Sequence, residues 1–217
     1  MDKNKAAYKL KGVPPVYCIN LDGEPERWLY METQFKYWEI ENYTRISAYD
    51  GREDDLSDII KGKYPDNMNS GEVGCVTSHL KAMKEFLKTD EPYAFIIEDD
   101  CDFDPVRYWS FTWRDIMSKI PYDFDVFQTA IINPGALFVK MHKRFVNDFS
   151  TASYVITRHH AEKLVRLHCR GDKYKLDQGS KPRAVADDLI YNSGNTYSMP
   201  LLPVSYTHLT LPTRLMV

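Results

Sequence analysis

Two hydrophobic periods alternate along this chain. Short apolar runs at Val16–Leu21, Tyr43–Ala48, Tyr93–Ile97, Tyr122–Phe127, Gly135–Val139 and Ser153–Thr157 read as strands. Between them, apolar residues recur every three or four positions, as helices packed on a core require. Trp28, Met31, Phe35 and Trp38 form one such stripe, and Val73, Val76, Leu80, Met83 and Leu87 form another. Trp109, Trp113, Ile116 and Ile120 make a third, in a helix starting at Asp104-Pro105, and Arg158–His168 is a fourth helix. Strands alternating with helices predict an α/β fold, and no internal repeat interrupts the alternation.

The punctuation between these elements agrees with that reading. Pro25 suits a first helical turn, Tyr49-Asp50-Gly51 is a turn signal, and Ser70 is placed to cap the second helix. Gly71 and Gly74 cost that helix stability relative to alanine, which points to a close backbone approach at its start. The start of the same helix also offers an anion site. Residues 52–69 and 173–182 are polar and read as loops. His159 and His160 are adjacent rather than a turn apart, so they read as a solvated first turn and not as a metal pair. One domain is expected over residues 1–204. Residues 205–217 contain no acid and no amphipathic period, read as a frayed or foreign tail, and no function is assigned to His208.

Composition narrows the function classes. Among 217 residues, Lys+Arg number 28 against 31 Asp+Glu, so a basic nucleic-acid surface is not expected. Cys18, Cys75, Cys101 and Cys169 form no Cys-x-x-Cys pair; they read as reduced thiols, and a zinc site built from them is not expected. The polar N-terminus lacks a signal-peptide core, and no apolar run is long enough to span a bilayer. The expected compartment is cytoplasmic, with peripheral membrane contact left open.

The chemistry concentrates where the Tyr93–Ile97 strand runs into Glu98-Asp99-Asp100-Cys101-Asp102. Open α/β sheets bind ligands beyond the carboxyl ends of their strands. Alternation along extended backbone would point Asp100 and Asp102 the same way, with Cys101 turned inward. Carboxylates so crowded repel unless a cation stands among them, and Mg²⁺ or Mn²⁺ would in turn hold phosphate oxygens. His79 stays open between a packed core histidine and part of a site.

In order and spacing, several motifs together resemble glycosyltransferase family 25, over roughly Val16 to Tyr191. They are Ile19-Asn20-Leu21-Asp22 with Arg27, Ala48-x-Asp50-Gly51, Gly71-Glu72-x-Gly74-Cys75-x-x-Ser78-His79, Ile97-Glu98-Asp99-Asp100, Ser153-Tyr154-Val155-Ile156-Thr157 and Asp187. The resemblance implies a GT-A-like fold, a nucleotide-sugar donor such as UDP-galactose or UDP-glucose, Mn²⁺ (or Mg²⁺), and transfer with inversion to a glycan, lipooligosaccharide or glycoprotein acceptor. It implies that Asp100 and Asp102 hold the metal, with Glu98 and Asp99 beside them. Asn20, Leu21 and Arg27 would line the nucleotide, Asp50 the ribose or base, and Glu72, Ser78 and His79 the opposite wall. Inversion needs a general base, for which Asp187 and Asp188 are the candidates; a plain helix-capping role for that pair stays open. Two other readings stand beside this one: a metal-dependent phosphoryl-transfer enzyme, although no P-loop is present, and an inactive, truncated sugar-nucleotide-binding domain.

Overall fold

The computed structural model describes residues 4–133, 135, 138–176 and 183–203. Its centre is a seven-stranded mixed sheet with helices on both faces, the α/β class expected. The strands of that sheet are β1 (Val16–Asn20), β2 (Tyr43–Ser47), β3 (Tyr93–Glu98), β4 (Val126–Gln128), β5 (His142–Lys143), β6 (Ser153–Thr157) and β9 (Thr196–Ser198). Their order is β2-β1-β3-β6-β4-β9-β5, and β7 (Cys169–Arg170) with β8 (Lys173–Tyr174) forms a separate ribbon. Pairings β1–β2, β1–β3 and β4–β9 are parallel, while β6 runs antiparallel to both β3 and β4, and β5 runs antiparallel to β9.

The period of two decides which helices cover which face. On one face Tyr17, Ile19, Ala94, Ile96, Tyr154 and Ile156 pack under α2 (Ser70–Phe86), α4 (Arg158–His168) and α5 (Ala186–Tyr191). On the other, Val16, Cys18, Phe95, Ile97 and Val155 pack under α1 (Pro25–Tyr37) and α3 (Trp113–Met117). The central strands β1 and β3 are therefore apolar along their length up to Asn20 and Glu98 at their carboxyl ends, as a sheet covered on both faces requires.

Register then sets the functional edge. β1 and β3 are parallel with Ile19 opposite Glu98, and β1 and β2 pair Asn20 with Ser47. The carboxyl ends of all three strands thus open on the same side. Antiparallel β6 begins there, Ile97 lying opposite Ser153, and the amide of Glu98 donates to the Ala152 carbonyl at 2.8 Å.

Several local expectations are corrected. Asn69, not Ser70, caps α2: its side chain accepts from the Glu72 amide while Glu72 accepts from the Asn69 amide, a reciprocal pair. The helix expected from Asp104 is broken into a 3₁₀ turn at Asp104–Tyr108 and the short α3, which Thr112 caps afresh through Asp115. All four residues of its apolar stripe are nonetheless buried. Gly135, Phe138 and Val139 lie outside regular structure, and the strand there is β5 instead. His159 is exposed, but His160 is buried with its ring bonded to the Ile190 carbonyl at 2.9 Å. The tail, 205–217, lies outside the described residues, and no described helix is long and apolar enough to cross a membrane.

Candidate active site

A cleft of about 260 Å³ opens at the carboxyl edge of β1 and β3. Ile19–Leu21 and Arg27 form one side of it, 48–52 and the α2 residues Gly71, Cys75, Ser78 and His79 the other, and Glu98, Asp99 and Asp100 the floor. The wall made by 48–52 stands where it does because two glycines let backbones touch. A Cβ on Gly74 would lie 2.6 Å from the Tyr49 carbonyl oxygen, and one on Gly51 would fall 1.8 Å from that of Ser70. Of the two helical glycines singled out in the sequence, Gly74 makes the close approach, whereas a Cβ on Gly71 would meet only the Asn69 side chain at 3.3 Å. Ser78 ties the junction, accepting from the Tyr49 amide at 2.9 Å and donating to the Gly74 carbonyl at 2.7 Å.

The floor is a network of opposed charges. Asp99 is buried, accepts a 2.6 Å hydrogen bond from the Asn20 amide group and pairs with the Arg27 guanidinium. Burial pushes its carboxyl up, Asn20 and Arg27 pull it down, and burial prevails. Asp100 lies 3.8 Å from Arg27, and its Oδ1 is buried with no hydrogen-bond partner among the described residues. Burial, reinforced by the charge of Glu98 against the opposing pull of Arg27, raises it to about 7. Glu98 behaves oppositely: burial pushes it up, but His79, 3.2 Å away, together with Thr151 and Arg27, brings it below its ordinary value. A carboxyl beside an orphaned buried oxygen, next to an arginine, is suited to a divalent cation and to the oxygens of a diphosphate.

The structure thus brings Asn20, Leu21, Arg27, Asp50, Ser78, His79, Glu98, Asp99 and Asp100 to one cleft. Asp50 is engaged there by Arg52 at 2.9 Å, whose side-chain and backbone hydrogen bonds lower it to about 2. Asp102, Glu72, Asp187 and Asp188 are not among the residues that line the cleft. Asp102 is spent locally, its Oδ1 accepting from the Asp104 amide at 2.9 Å, while Cys101 is turned inward. Glu72 closes the α2 cap and pairs with Arg183 at 2.5 Å. Asp187 and Asp188 fall in the first turn of α5, whose N-cap is Val185, and neither acts as a side-chain cap. Asp187 Oδ1 accepts from the Ser150 amide at 2.8 Å; burial raises its carboxyl, and the charges of Arg144, His79 and Glu98 reach it. Asp188 instead bonds Asn192 within its own helix.

Several residues on or behind the cleft were not singled out as site residues in the sequence. Arg45 grips the Asn20 side-chain oxygen with Nε and Nη2 at 2.8 and 2.6 Å, and so aims Asn20 at Asp99. Tyr154 holds His79 Nδ1 at 3.0 Å, and Thr151 donates to Glu98 at 2.9 Å. Each of these contacts depends on strand register, which spacing alone does not set.

Comparison with known proteins bears on this geometry. Residues 13–178 match the profile of glycosyltransferase family 25 (LPS biosynthesis protein), a stretch that contains every cleft residue. A "Glycosyltransferase 25 family member" of Aedes aegypti is 30% identical over 105 residues, covering 43% of this chain and 17% of that protein. The chain therefore spans only a fraction of that relative's length. Among solved structures, a nucleoside-diphosphate-sugar pyrophosphorylase from Vibrio cholerae RC9 aligns over 93% of this chain and 76% of its own at 11% identity, with a TM-score of 0.41, too distant to bear on the chemistry. With most of its length matched by the family profile, and the charged cleft inside the matched stretch, the chain belongs to glycosyltransferase family 25.

Proposed function

We propose that this chain transfers a hexose, galactose in the first instance, from a UDP-sugar to a glycan, lipooligosaccharide or glycoprotein acceptor, with inversion at the anomeric carbon. The observation that carries this reading is the Arg27–Asp99–Asp100 floor, where an orphaned carboxylate oxygen and a guanidinium share one cleft inside the family's matched stretch. Asp100 with Asp99 would hold Mn²⁺ or Mg²⁺, which when bound neutralises the departing diphosphate as a Lewis acid. Asp102 joins them only by giving up its contact with the Asp104 amide.

The chain's own side chains supply the rest. Arg27 is placed to hold phosphate oxygens, and the pairing of Asn20 with Asp99 keeps that carboxylate oriented toward the arginine. The wall of Tyr49, Asp50 and Gly51 faces Leu21 across the cleft and suits the nucleoside. Inversion requires a base to take the acceptor hydroxyl proton as the glycosidic bond to the diphosphate breaks and the new bond forms at the opposite face. Asp187 serves that role, a carboxylate fixed through the Ser150 amide and within electrostatic reach of Glu98.

Calorimetric titration with a panel of UDP-sugars and Mn²⁺ tests the reading. Binding should be lost on chelation and in Asp100→Ala, and radiolabelled sugar should pass to an acceptor. Equal binding of other nucleotides, or binding indifferent to metal, would overturn it. Transfer of phosphate in place of sugar would favour a phosphoryl-transfer enzyme, and binding without turnover an inactive domain.

A further inference from the structure

Cys75 and His79 lie one turn apart on α2, and Glu98 ends β3 directly across from them. A thiol sulfur, an imidazole nitrogen and a carboxylate oxygen are thereby gathered within 4.8 Å of one another, and all three residues face the cleft. We propose that these three side chains form a second cation site, selective for a borderline, thiophilic ion of the zinc class and distinct from the all-oxygen floor at Asp99 and Asp100.

The donor set decides the ion. Thiolate and imidazole favour Zn²⁺ over Mn²⁺ or Mg²⁺, which prefer carboxylate and carbonyl oxygens. Bond lengths of about 2.0–2.3 Å place tetrahedral ligand atoms roughly 3.3–3.9 Å apart, so the 4.8 Å spread closes with small side-chain rotations. Supporting contacts are already in place. Tyr154 meets His79 Nδ1 at 3.0 Å, which leaves Nε2 aimed at Glu98, 3.2 Å away, and Thr151 steadies the Glu98 carboxylate at 2.9 Å. Binding replaces the thiol proton: the sulfur–hydrogen bond breaks, a sulfur–cation bond forms, and one proton passes to solvent. Three protein ligands leave a coordination position open toward the cleft, so an ion held here borders the proposed donor site. The sequence led to no zinc site being expected from the cysteines, because the carboxylate that completes this set comes from another element.

Cobalt serves as the spectroscopic stand-in for zinc, with the full chain and without nucleotide, so the test does not depend on transferase activity. One equivalent of Co²⁺ should give a near-ultraviolet thiolate-to-cobalt band, bleached by Zn²⁺, with one proton released per ion. Cys75→Ser and His79→Gln should abolish the band and weaken Zn²⁺ binding at least about tenfold, whereas Cys169→Ser and Asp100→Asn should keep both. If Cys75→Ser fails to fold by circular dichroism, Cys75→Ala takes its place. The proposal is overturned if no band forms at stoichiometric Co²⁺, if the band survives loss of Cys75, or if Zn²⁺ affinity falls in Asp100→Asn but not in the Cys75 variants.

Discussion

A carboxyl whose Oδ1 is buried without a donor, with Glu98 and Asp99 adding their charge, favours its neutral form; this is the situation of Asp100, raised from 3.8 to about 7. The folded chain then holds a proton there that the unfolded chain releases. In the metal-free protein this contribution to stability is complete below about pH 4 and is lost as pH rises through about 7. Asp100→Asn removes the titration. Its stability advantage over wild type should be near zero at about pH 4 and grow toward roughly 4 kcal/mol at most above pH 7, at 1.4 kcal/mol per pKa unit. Urea denaturation in chelator across that range checks it, and a gap that stays constant with pH would show the carboxylate already ionised throughout. Glu98, held low, contributes in the opposite sense and only in more acid solution, so the variant isolates Asp100. The clustering of these acids was legible because four of them follow a buried strand almost at once. Which of them face the cleft was not. The chain turns at Asp99 and Asp100, directly after β3 ends, so strict strand alternation no longer aims Asp102 with Asp100.

For the elements, the sequence was most informative where the apolar period was long. Helices α2 and α4 lie close to where their stripes place them, since burying one face of a long amphipathic segment outweighs local preferences. The stripe from Trp109 to Ile120 was read as one helix for the same reason, yet it breaks. The Lys9 ammonium, from the far N-terminal segment, donates to the carbonyls of Arg107 and Trp109 at 2.8 and 2.5 Å and so ends the first turn. No local pattern reveals a partner nearly a hundred residues away. Gly74 shows the same division: its cost to α2 was visible, but the Tyr49 carbonyl it accommodates was not. Gly74→Ala gains about 1 kcal/mol of helix propensity and meets backbone at 2.6 Å, which cannot rotate aside. The net effect should be a loss of about 1–3 kcal/mol by overpacking, with weaker UDP-sugar binding as the 49–51 wall is displaced. Denaturation midpoints equal to or above wild type would show that the loop gives way freely.

In the whole molecule, the cleft is the meeting of segments far apart in sequence, whereas the proposed base is not among the residues that line it and sits on α5, beyond the stretch matched by the family profile. Asp187 and Asp188 were indistinguishable as neighbours in a sequence; the fold separates them. Asp188 is used within α5, on Asn192. Asp187 reaches across to Ser150, a non-glycine residue at φ 100 whose carbonyl is held by Gln128 and Tyr191. Left-handed backbone at a serine persists only when its surroundings fix it, and Asp187 is one of the groups that do so. Replacing Asp187 by asparagine keeps the acceptor oxygen for the Ser150 amide while removing the basic charge, so it separates anchoring from proton transfer. Asp187→Asn should lower kcat by about 10²–10⁴-fold with UDP-sugar affinity and melting temperature close to wild type, while Asp188→Asn should turn over nearly as wild type does. Loss of donor binding together with activity would place Asp187 in the architecture of the cleft, and full turnover in Asp187→Asn would remove it from the reaction, leaving Glu98, held ionised beside His79, as the carboxylate to test next.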